Sequence, residues 1–389
     1  MMFRNFLVAL MTLTTASLAV GDIMVPGADG TDGVFNPVAN KLVDLSLAPT
    51  GTWNGANASQ GLGVYDPDKW AVVFRYTSVN IPSNVTVTFK NHPSRAPVVW
   101  LVSGSVTING TLSLDGAASI ALGLSEPGPG GFRSGRPYQN AADIGSGGFG
   151  PGGGANTAAA TDTNAGAGSY GSLGSGLSGP IYGNPRIIPL IGGSGGSRRY
   201  VSYSFGNCSY STHLQPGAGG GAILIACQGA IVITGSLRAN GGAGQAPCGT
   251  TGLGGSGGAI RIISDTLSGS GTLRAIGGAA NGGTGRIRIE TNLNSMIDLG
   301  SPVASQDFVG STAQLWSDPM SPTVRIMSVG SQTSPSDPRA TSNLPADVQI
   351  SNPQVTSILV EASNMPLEWT VRVRTVPLSG VAFYTDAIF

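Results

Sequence analysis

The acidic side chains of this sequence are its first candidates for chemistry, because closely spaced carboxylates cleave glycosidic bonds and hold divalent cations. Glycoside cleavage needs carboxylates only a few ångströms apart. The candidates in the central part of the chain are spread one to a segment: Asp115, Asp143, Asp162, Asp265 and Glu290. The tight acidic pair in Asp66-Pro67-Asp68 has the composition of a turn. The spacing therefore does not predict a catalytic carboxylate cluster.

Histidine, serine and cysteine give equally weak signals for catalysis or metal binding. His92 and His213, the two histidines, lie in turn-like and loop-like stretches, and their spacing supplies neither a carboxylate nor a nucleophile as a partner. No nucleophile elbow stands between a strand and a helix, and Walker A and zinc-type Cys/His patterns are absent. We therefore predict that the protein is not an enzyme and has no cofactor or metal.

Arginines are the more suggestive charged residues, because they recur in similar blocks of sequence. In the stretches AIRI and RIRIE the arginines alternate with isoleucine. Because successive side chains of a strand point to opposite faces, we expect the arginines to face away from the buried isoleucines. A row of arginines on one face would suit an anionic glycan or a partner protein. The alternative is a solvated face that blocks aggregation between sheet edges. The candidate contacts are Arg238, Arg261, Arg274, Arg286 and Arg288.

Composition restricts the class of protein that positions these residues. The formal net charge is +0 and 10% of residues are charged, which argues against a nucleic-acid partner. The 61 glycines do not follow the three-residue period of collagen, and 40% apolar residues are too many for a disordered chain. A repetitive β architecture is what this composition favours.

Three blocks of sequence share one pattern, in which a short apolar strand precedes a glycine, a hydroxyl residue and a leucine. They are SGSVTINGTLSLDGAA, QGAIVITGSLRANGGA and SDTLSGSGTLRAIGGA, which begin at Ser103, Gln228 and Ser264. Such recurring units predict a parallel β-solenoid or β-helix with glycine at its corners. Disordered glycine linkers are one alternative, which fits the run 145–179 as well. A bundle of polyproline-II-like glycine helices is another, against which the interleaved branched residues argue.

The rest of the chain divides around this region. Residues 1–21 resemble a signal peptide, with Arg4, an apolar run and small residues that predict cleavage near Ala19 to Gly21. No later run approaches the length of a membrane span. We predict an N-terminal cap over 22–67, the solenoid over 68–300, a linker over 301–321 and a small β-sandwich-like domain over 322–389. The chain stops inside a strand-like run, which indicates that this last domain is truncated.

The three cysteines lie in the glycine-rich middle of the chain. Export permits a disulfide, and Cys208 and Cys248, both in loop-like sequence, are the candidate pair. Cys227 follows a strand and is expected to be a small buried residue.

The repeat blocks, together with the stretch GVYDPDKWAVVFRYTSVNIPSNVTVTFKNHPSRAPVVWLV, resemble a group of glycine-rich exported bacterial proteins with β-helix-like repeats. The resemblance covers about residues 33–291 and implies a secreted or cell-surface protein, but no catalytic residues. We therefore expect an exported structural or adhesive surface protein without catalytic activity, whose partner is an extracellular glycan or a surface protein. A polysaccharide-binding or polysaccharide-cleaving β-helix protein is the alternative.

Overall fold

A computed structural model describes residues 23–55, 60–119, 125–136, 145–157, 164–205, 208–245, 251–337, 348–350, 357–377 and 379–388. In these ranges the regular secondary structure consists of β-strands and two short 3-10 helices, Leu45–Leu47 and Gly278–Ala280, with no α-helix. The prediction of an all-β protein is therefore confirmed. None of the described segments is a helix with the length and apolar character that crossing a membrane requires. The predicted signal peptide lies outside the described residues.

The strands of the N-terminal and central parts are β1 (Gly33–Phe35), β2 (Lys41–Asp44), β3 (Val64–Asp66), β4 (Ala71–Ile81), β5 (Thr86–Lys90), β6 (Val98–Val102), β7 (Val106–Ile108), β8 (Thr111–Ser113), β9 (Arg199–Phe205), β10 (Cys208–Leu214), β11 (Ala222–Cys227), β12 (Ala230–Ile233), β13 (Ser236–Arg238), β14 (Gly244–Gln245), β15 (Thr251–Gly252), β16 (Ala259–Gly269), β17 (Thr272–Arg274) and β18 (Arg286–Met296). The remaining strands are β19 (Ser305–Asp307), β20 (Thr323–Val329), β21 (Gln332–Thr333), β22 (Ile358–Ser363), β23 (Thr370–Thr375) and β24 (Phe383–Ile388).

Six parallel strands of the largest sheet close into a ring in the order β4, β6, β11, β16, β12 and β7. The ring closes because β4 and β16, of 11 residues each, both pair with two shorter strands. The first half of β4 pairs with β6 and its second half with β7. In the same way β16 pairs with β11 and then with β12.

The prediction of a parallel β-solenoid or β-helix is wrong, because the hydrogen bonds form this closed six-strand parallel β-barrel with further parallel sheets beside it. The repeat pattern predicts short strands that end at each corner. Instead, β16 runs through Ser264 and Asp265 without a turn and so spans two of the expected strands. The described residues between β8 and β9 contain no strand at all, which interrupts any regular repeat.

A second parallel sheet, in the order β17, β13, β8, β5 and β2, packs against the ring. The leucines shared by the three sequence blocks, Leu112, Leu237 and Leu273, lie side by side in this sheet and are fully buried. They share one core with the inward residues of the ring, among them Ile225 and Ile262. The repeated leucine therefore marks equivalent positions on neighbouring parallel strands.

The outer face of the largest sheet is buried as well. Val99 and Leu224 on this face form a second cluster with Ile23, from the predicted N-terminal cap, and Leu315, from the predicted linker. In β6 and β11 the residues on both faces are therefore buried and apolar, which explains the continuous apolar runs of these two strands.

The glycine-rich segments form a buried body beside the sheets rather than free loops. The amide of Phe132 donates to the carbonyl of Gly193 at 2.9 Å, the amide of Gly193 to Gly220 at 2.8 Å, and the amide of Gly219 to Phe132 at 2.9 Å. Three segments thus bond to one another in a triangle, which strands of a flat sheet cannot do. A Cβ on Gly219 would lie 1.9 Å from the Gly193 carbonyl oxygen. Only glycine allows the segments to approach so closely.

The C-terminal part contains two small antiparallel sheets, β21-β20-β22 and the hairpin β23-β24. The period-two alternation there does indicate strands. Among the described residues, however, no hydrophobic side chain after Leu315 is buried. In the part of this region that the structure describes, the two sheets therefore share no buried apolar core of the kind found between the sheets of a β-sandwich.

Candidate functional site

The hairpin β23-β24 and the glycine body enclose a groove with a volume of about 590 Å³. We call it the aromatic groove. It is lined by Phe132, Phe149, Gly150, Pro151, Pro180, Arg372, Arg374, Val376 and Tyr384. Its size lies within the usual range for a small-ligand site, about 300–1,000 Å³.

The alternation of β23 places its two arginines on one face of the hairpin. Arg374 pairs across the sheet with Tyr384, and Arg372 pairs with Asp386. The Arg372 guanidinium donates two hydrogen bonds to the Asp386 carboxylate, at 2.7 and 2.8 Å. These bonds lower the pKa of Asp386 and raise that of Arg372. The pair is bidentate and exposed, so it presents donors and acceptors to solvent at the groove.

Arg374 anchors the hairpin to the glycine body. Its guanidinium donates to the carbonyl oxygens of Gly148 at 2.7 Å and of Gly150 and Gly153 at 3.0 Å. Burial lowers the pKa of this guanidinium. The backbone of Gly380 adds a second anchor, with its amide donating to the Gly145 carbonyl at 2.9 Å. Both anchors lie at the turn end of the hairpin, where backbone atoms that bare glycine segments leave accessible hold it in place.

The opposite wall of the aromatic groove is formed by rings that emerge from glycine-rich sequence. Phe132 and Phe149 lie on neighbouring segments, and the amide of Phe149 donates to the Arg133 carbonyl at 3.0 Å. Gly150 has a φ of +95°, and a Cβ there would come within 2.7 Å of the Phe132 ring. Glycine is thus required at this position, both for the backbone conformation and for the ring beside it.

The predicted arginine row is divided between two sheets and does not line the aromatic groove. Arg238 and Arg274 are neighbours on β13 and β17. Arg238 pairs with Asp115 at 3.2 Å, whereas Arg274 is exposed to solvent. These two side chains fit either prediction, a contact site or a solvated face.

The other predicted arginines are largely enclosed by protein. Arg261 and Arg288, neighbours on β16 and β18, both pair with Glu290, at 2.8 and 2.9 Å. Arg261 is buried and also donates to the carbonyl of Leu315 at 3.2 Å. Arg286 donates to the Tyr182 carbonyl at 3.0 Å. Their partners identify these three as structural side chains of the outer sheet face.

A separate cleft, which we call the acidic cleft, contains one of the candidate carboxylates, Asp115, together with Glu126, which the sequence pattern did not single out. It has a volume of about 410 Å³ and is lined by Phe89, Lys90, Asn91, Asp115, Ala117, Glu126, Pro127 and Arg133. Glu126 pairs with Arg95 at 3.0 Å and with Arg133 at 2.9 Å. Burial raises the pKa of Glu126, but the hydrogen bond from Asn91 and the two arginine charges outweigh burial and lower it overall. This carboxylate is thus held ionised, which does not suit a general acid.

The remaining candidates are scattered. Asp265 accepts from Asn292 at 3.1 Å, and Asp66 accepts from the amide of Asp68 at 2.9 Å, as in a turn. His92 is buried in its turn, with Nδ1 at 2.8 Å from the Ser94 hydroxyl. Asp143 and Asp162 lie outside the described residues, as does the side chain of His213. No group of three potential metal ligands occurs in the part of the chain that the structure describes.

The cysteine predictions are tested only at one position. The Cys227 thiol is buried and lies 3.0 Å from the Gly104 carbonyl oxygen, so the expected buried position is confirmed. Cys208 belongs to β10. Its side chain and Cys248 lie outside the described residues, and their disulfide stays a prediction.

Sequence reasoning missed the aromatic groove. The signal was present in two places: Phe149 within GGFGPGGG, and the alternating arginines of TVRVRT. Neither indicates a site alone, because the fold has to bring them together over more than two hundred positions.

Comparisons of this chain with protein-family models, with curated proteins and with solved structures find no match.

Proposed function

We propose that this chain is an exported surface protein that adheres to its target through the aromatic groove and does not transform it. One observation carries the proposal: the groove is lined by aromatic, proline and arginine side chains, and its neighbouring carboxylate, Asp386, is held by Arg372. Such a lining suits binding. Cleavage of a glycan would need carboxylates that are able to exchange protons.

Adhesion can be tested by sedimentation of purified residues 22–389 with bacterial cell walls and with insoluble polysaccharides. We expect the protein to leave the supernatant with at least one of these surfaces. The Arg374→Ala variant, which loses the anchor of the hairpin, should sediment less. A protein that stays in the supernatant with every surface contradicts the adhesive function.

Export is supported by the signal-like pattern of residues 1–21 and by the resemblance to exported glycine-rich proteins. These residues can be fused to a phosphatase that is active only outside the cytoplasm. We expect activity from the fusion and none after deletion of the apolar run 6–13. Equal activity without that run would contradict export by this segment.

Polysaccharide cleavage at the acidic cleft is the second candidate. It is favoured by the presence of Asp115 and Glu126 in one cleft, although arginines pair with both of them. Release of reducing ends from soluble polysaccharides measures it directly. Activity that disappears in Glu126→Gln would support cleavage and would overturn the purely adhesive proposal.

A further inference from the structure

The side chains that line the aromatic groove are suited to a ligand with a flat apolar face. Phe132, Phe149 and Tyr384 offer flat apolar faces, and Pro151 and Pro180 extend this surface. Aromatic rings gain most from partners that bring a flat apolar face and remove it from water. A pyranose ring has such a face, formed by its axial C–H groups, and carries hydroxyls around its edge.

The charges in the groove are already compensated, which argues against an acidic ligand. Arg372 is neutralised by Asp386 through two hydrogen bonds. The two terminal nitrogens of Arg374 donate to four carbonyls, those of Gly148, Gly150, Gly153 and Gly154, at 2.7–3.4 Å. A ligand carboxylate or sulfate would have to displace carbonyl acceptors before it could bind Arg374, and at Arg372 it would lie beside the Asp386 carboxylate, which would repel it.

The exposed ion pair suits hydroxyl groups instead. The side chains of Arg372 and Asp386 are 59% and 42% exposed, and Arg372 lies 5.7 Å from the centre of the Tyr384 ring. Arg372 has further N–H donors and Asp386 has further lone pairs beyond the two bonds that join them. A sugar hydroxyl both donates and accepts, so it can bond to both partners without breaking the pair.

We propose that the aromatic groove binds a neutral pyranose glycan, with a C–H face of the sugar on Phe149 or Phe132 and sugar hydroxyls on Arg372 and Asp386. The inference rests on the proposed adhesive function and names its ligand. It assigns binding to residues of the hairpin and the glycine body rather than to the arginines of β13, β16, β17 and β18.

The test is calorimetric titration of residues 22–389 with neutral hexasaccharides (cello-, manno- and chito-series), with an acidic galacturonate hexamer and with a proline-rich peptide. We expect a neutral hexasaccharide to bind with an affinity that changes little with salt, because no net charge is neutralised. Phe149→Ala should weaken binding roughly threefold to tenfold. Phe308→Ala is the matched control, since Phe308 is exposed and does not line the groove.

Asp386→Asn is a second variant, which keeps the glycan-binding proposal testable if Phe149→Ala fails to fold. It removes an acceptor charge from an exposed position and should weaken neutral-glycan binding while the melting temperature stays near that of the parent. Tighter binding of the acidic hexamer, binding of the peptide alone, or equal losses in Phe149→Ala and Phe308→Ala would each overturn the proposal. Sedimentation with cell walls but no neutral-glycan binding would refute this ligand and leave adhesion standing, whereas loss of both would refute the adhesive function too.

Discussion

Replacement of Gly219 by alanine tests whether the glycine body is a close-packed part of the fold. The new Cβ would lie 1.9 Å from the Gly193 carbonyl oxygen, whereas ordinary contact begins at 3.4 Å. The two segments would have to separate by 3.4 − 1.9 = 1.5 Å. The 2.8 Å hydrogen bond from the Gly193 amide to the Gly220 carbonyl joins the same segments and would be broken.

The size of the effect follows from these two events. Overpacking of a dense interior costs about 1–3 kcal/mol, and a buried amide without its acceptor costs about 1–3 kcal/mol more. The reduced entropy of the unfolded chain returns roughly 0.4–1 kcal/mol when glycine becomes alanine. We therefore expect Gly219→Ala to lower the free energy of unfolding by about 1–6 kcal/mol.

Gly51→Ala is the matched control, because its Cβ would meet only Val64, at 3.7 Å, and its φ is not positive. That change should leave stability unchanged or raise it by up to about 1 kcal/mol. Urea unfolding followed by tryptophan fluorescence measures both variants. If Gly219→Ala is as stable as Gly51→Ala to within about 0.5 kcal/mol, the glycine body is not packed as described.

Three further changes probe the core and the ion pairs. Glu290→Gln leaves buried Arg261 without its carboxylate and should lower the free energy of unfolding in urea by about 3 kcal/mol. Asp44→Asn, at an exposed ion pair, should lower it by at most about 1 kcal/mol. Equal losses would show that burial of the pair is unimportant. Leu237→Asp places a charge in the core and should abolish the circular-dichroism signal of the folded protein. Leu237→Met, its control, should change the free energy of unfolding by less than about 1.5 kcal/mol. Unchanged melting of the aspartate variant would contradict the inward position of Leu237. The lowered pKa of Glu126 means that its ionised form stabilises the fold above its ordinary value of 4.5, and that this contribution is lost as pH falls through the folded-state pKa. Glu126→Gln should therefore flatten the fall in urea midpoint as the pH drops below 4.5, and a parent-like profile would count against this linkage.

The sequence predicted the features that depend on the local pattern of apolar and polar residues. Alternation and branched residues predicted strands, and the leucine after each glycine predicted equivalent places for Leu112, Leu237 and Leu273. Burial of Leu237 and Ile262 also follows from that pattern. These features are local, because a two-residue period and a repeated block can be seen within one short window.

The closed ring could not be predicted, because it depends on where a strand continues. Residues Thr77 and Ser78 of β4 and residues Ser264 and Asp265 of β16 are polar and resemble turn positions. In the fold they stay extended, because the strand residues before and after them pair with neighbouring strands. In β4 these partners are β6 and β7, and in β16 they are β11 and β12. Tertiary pairing thus overrides the local preference of these residues.

The aromatic groove was hidden for a related reason: its polar anchor contacts backbone rather than side chains. Arg374 binds carbonyl oxygens of Gly148, Gly150 and Gly153, and no sequence motif marks a carbonyl as an acceptor. Those oxygens are accessible because no side chain shields them. The glycines that make the body dense therefore also give it the surface on which the hairpin docks. Damage to the packing, as in Gly219→Ala, should for this reason weaken ligand binding as well as stability, whereas Asp386→Asn should weaken binding alone.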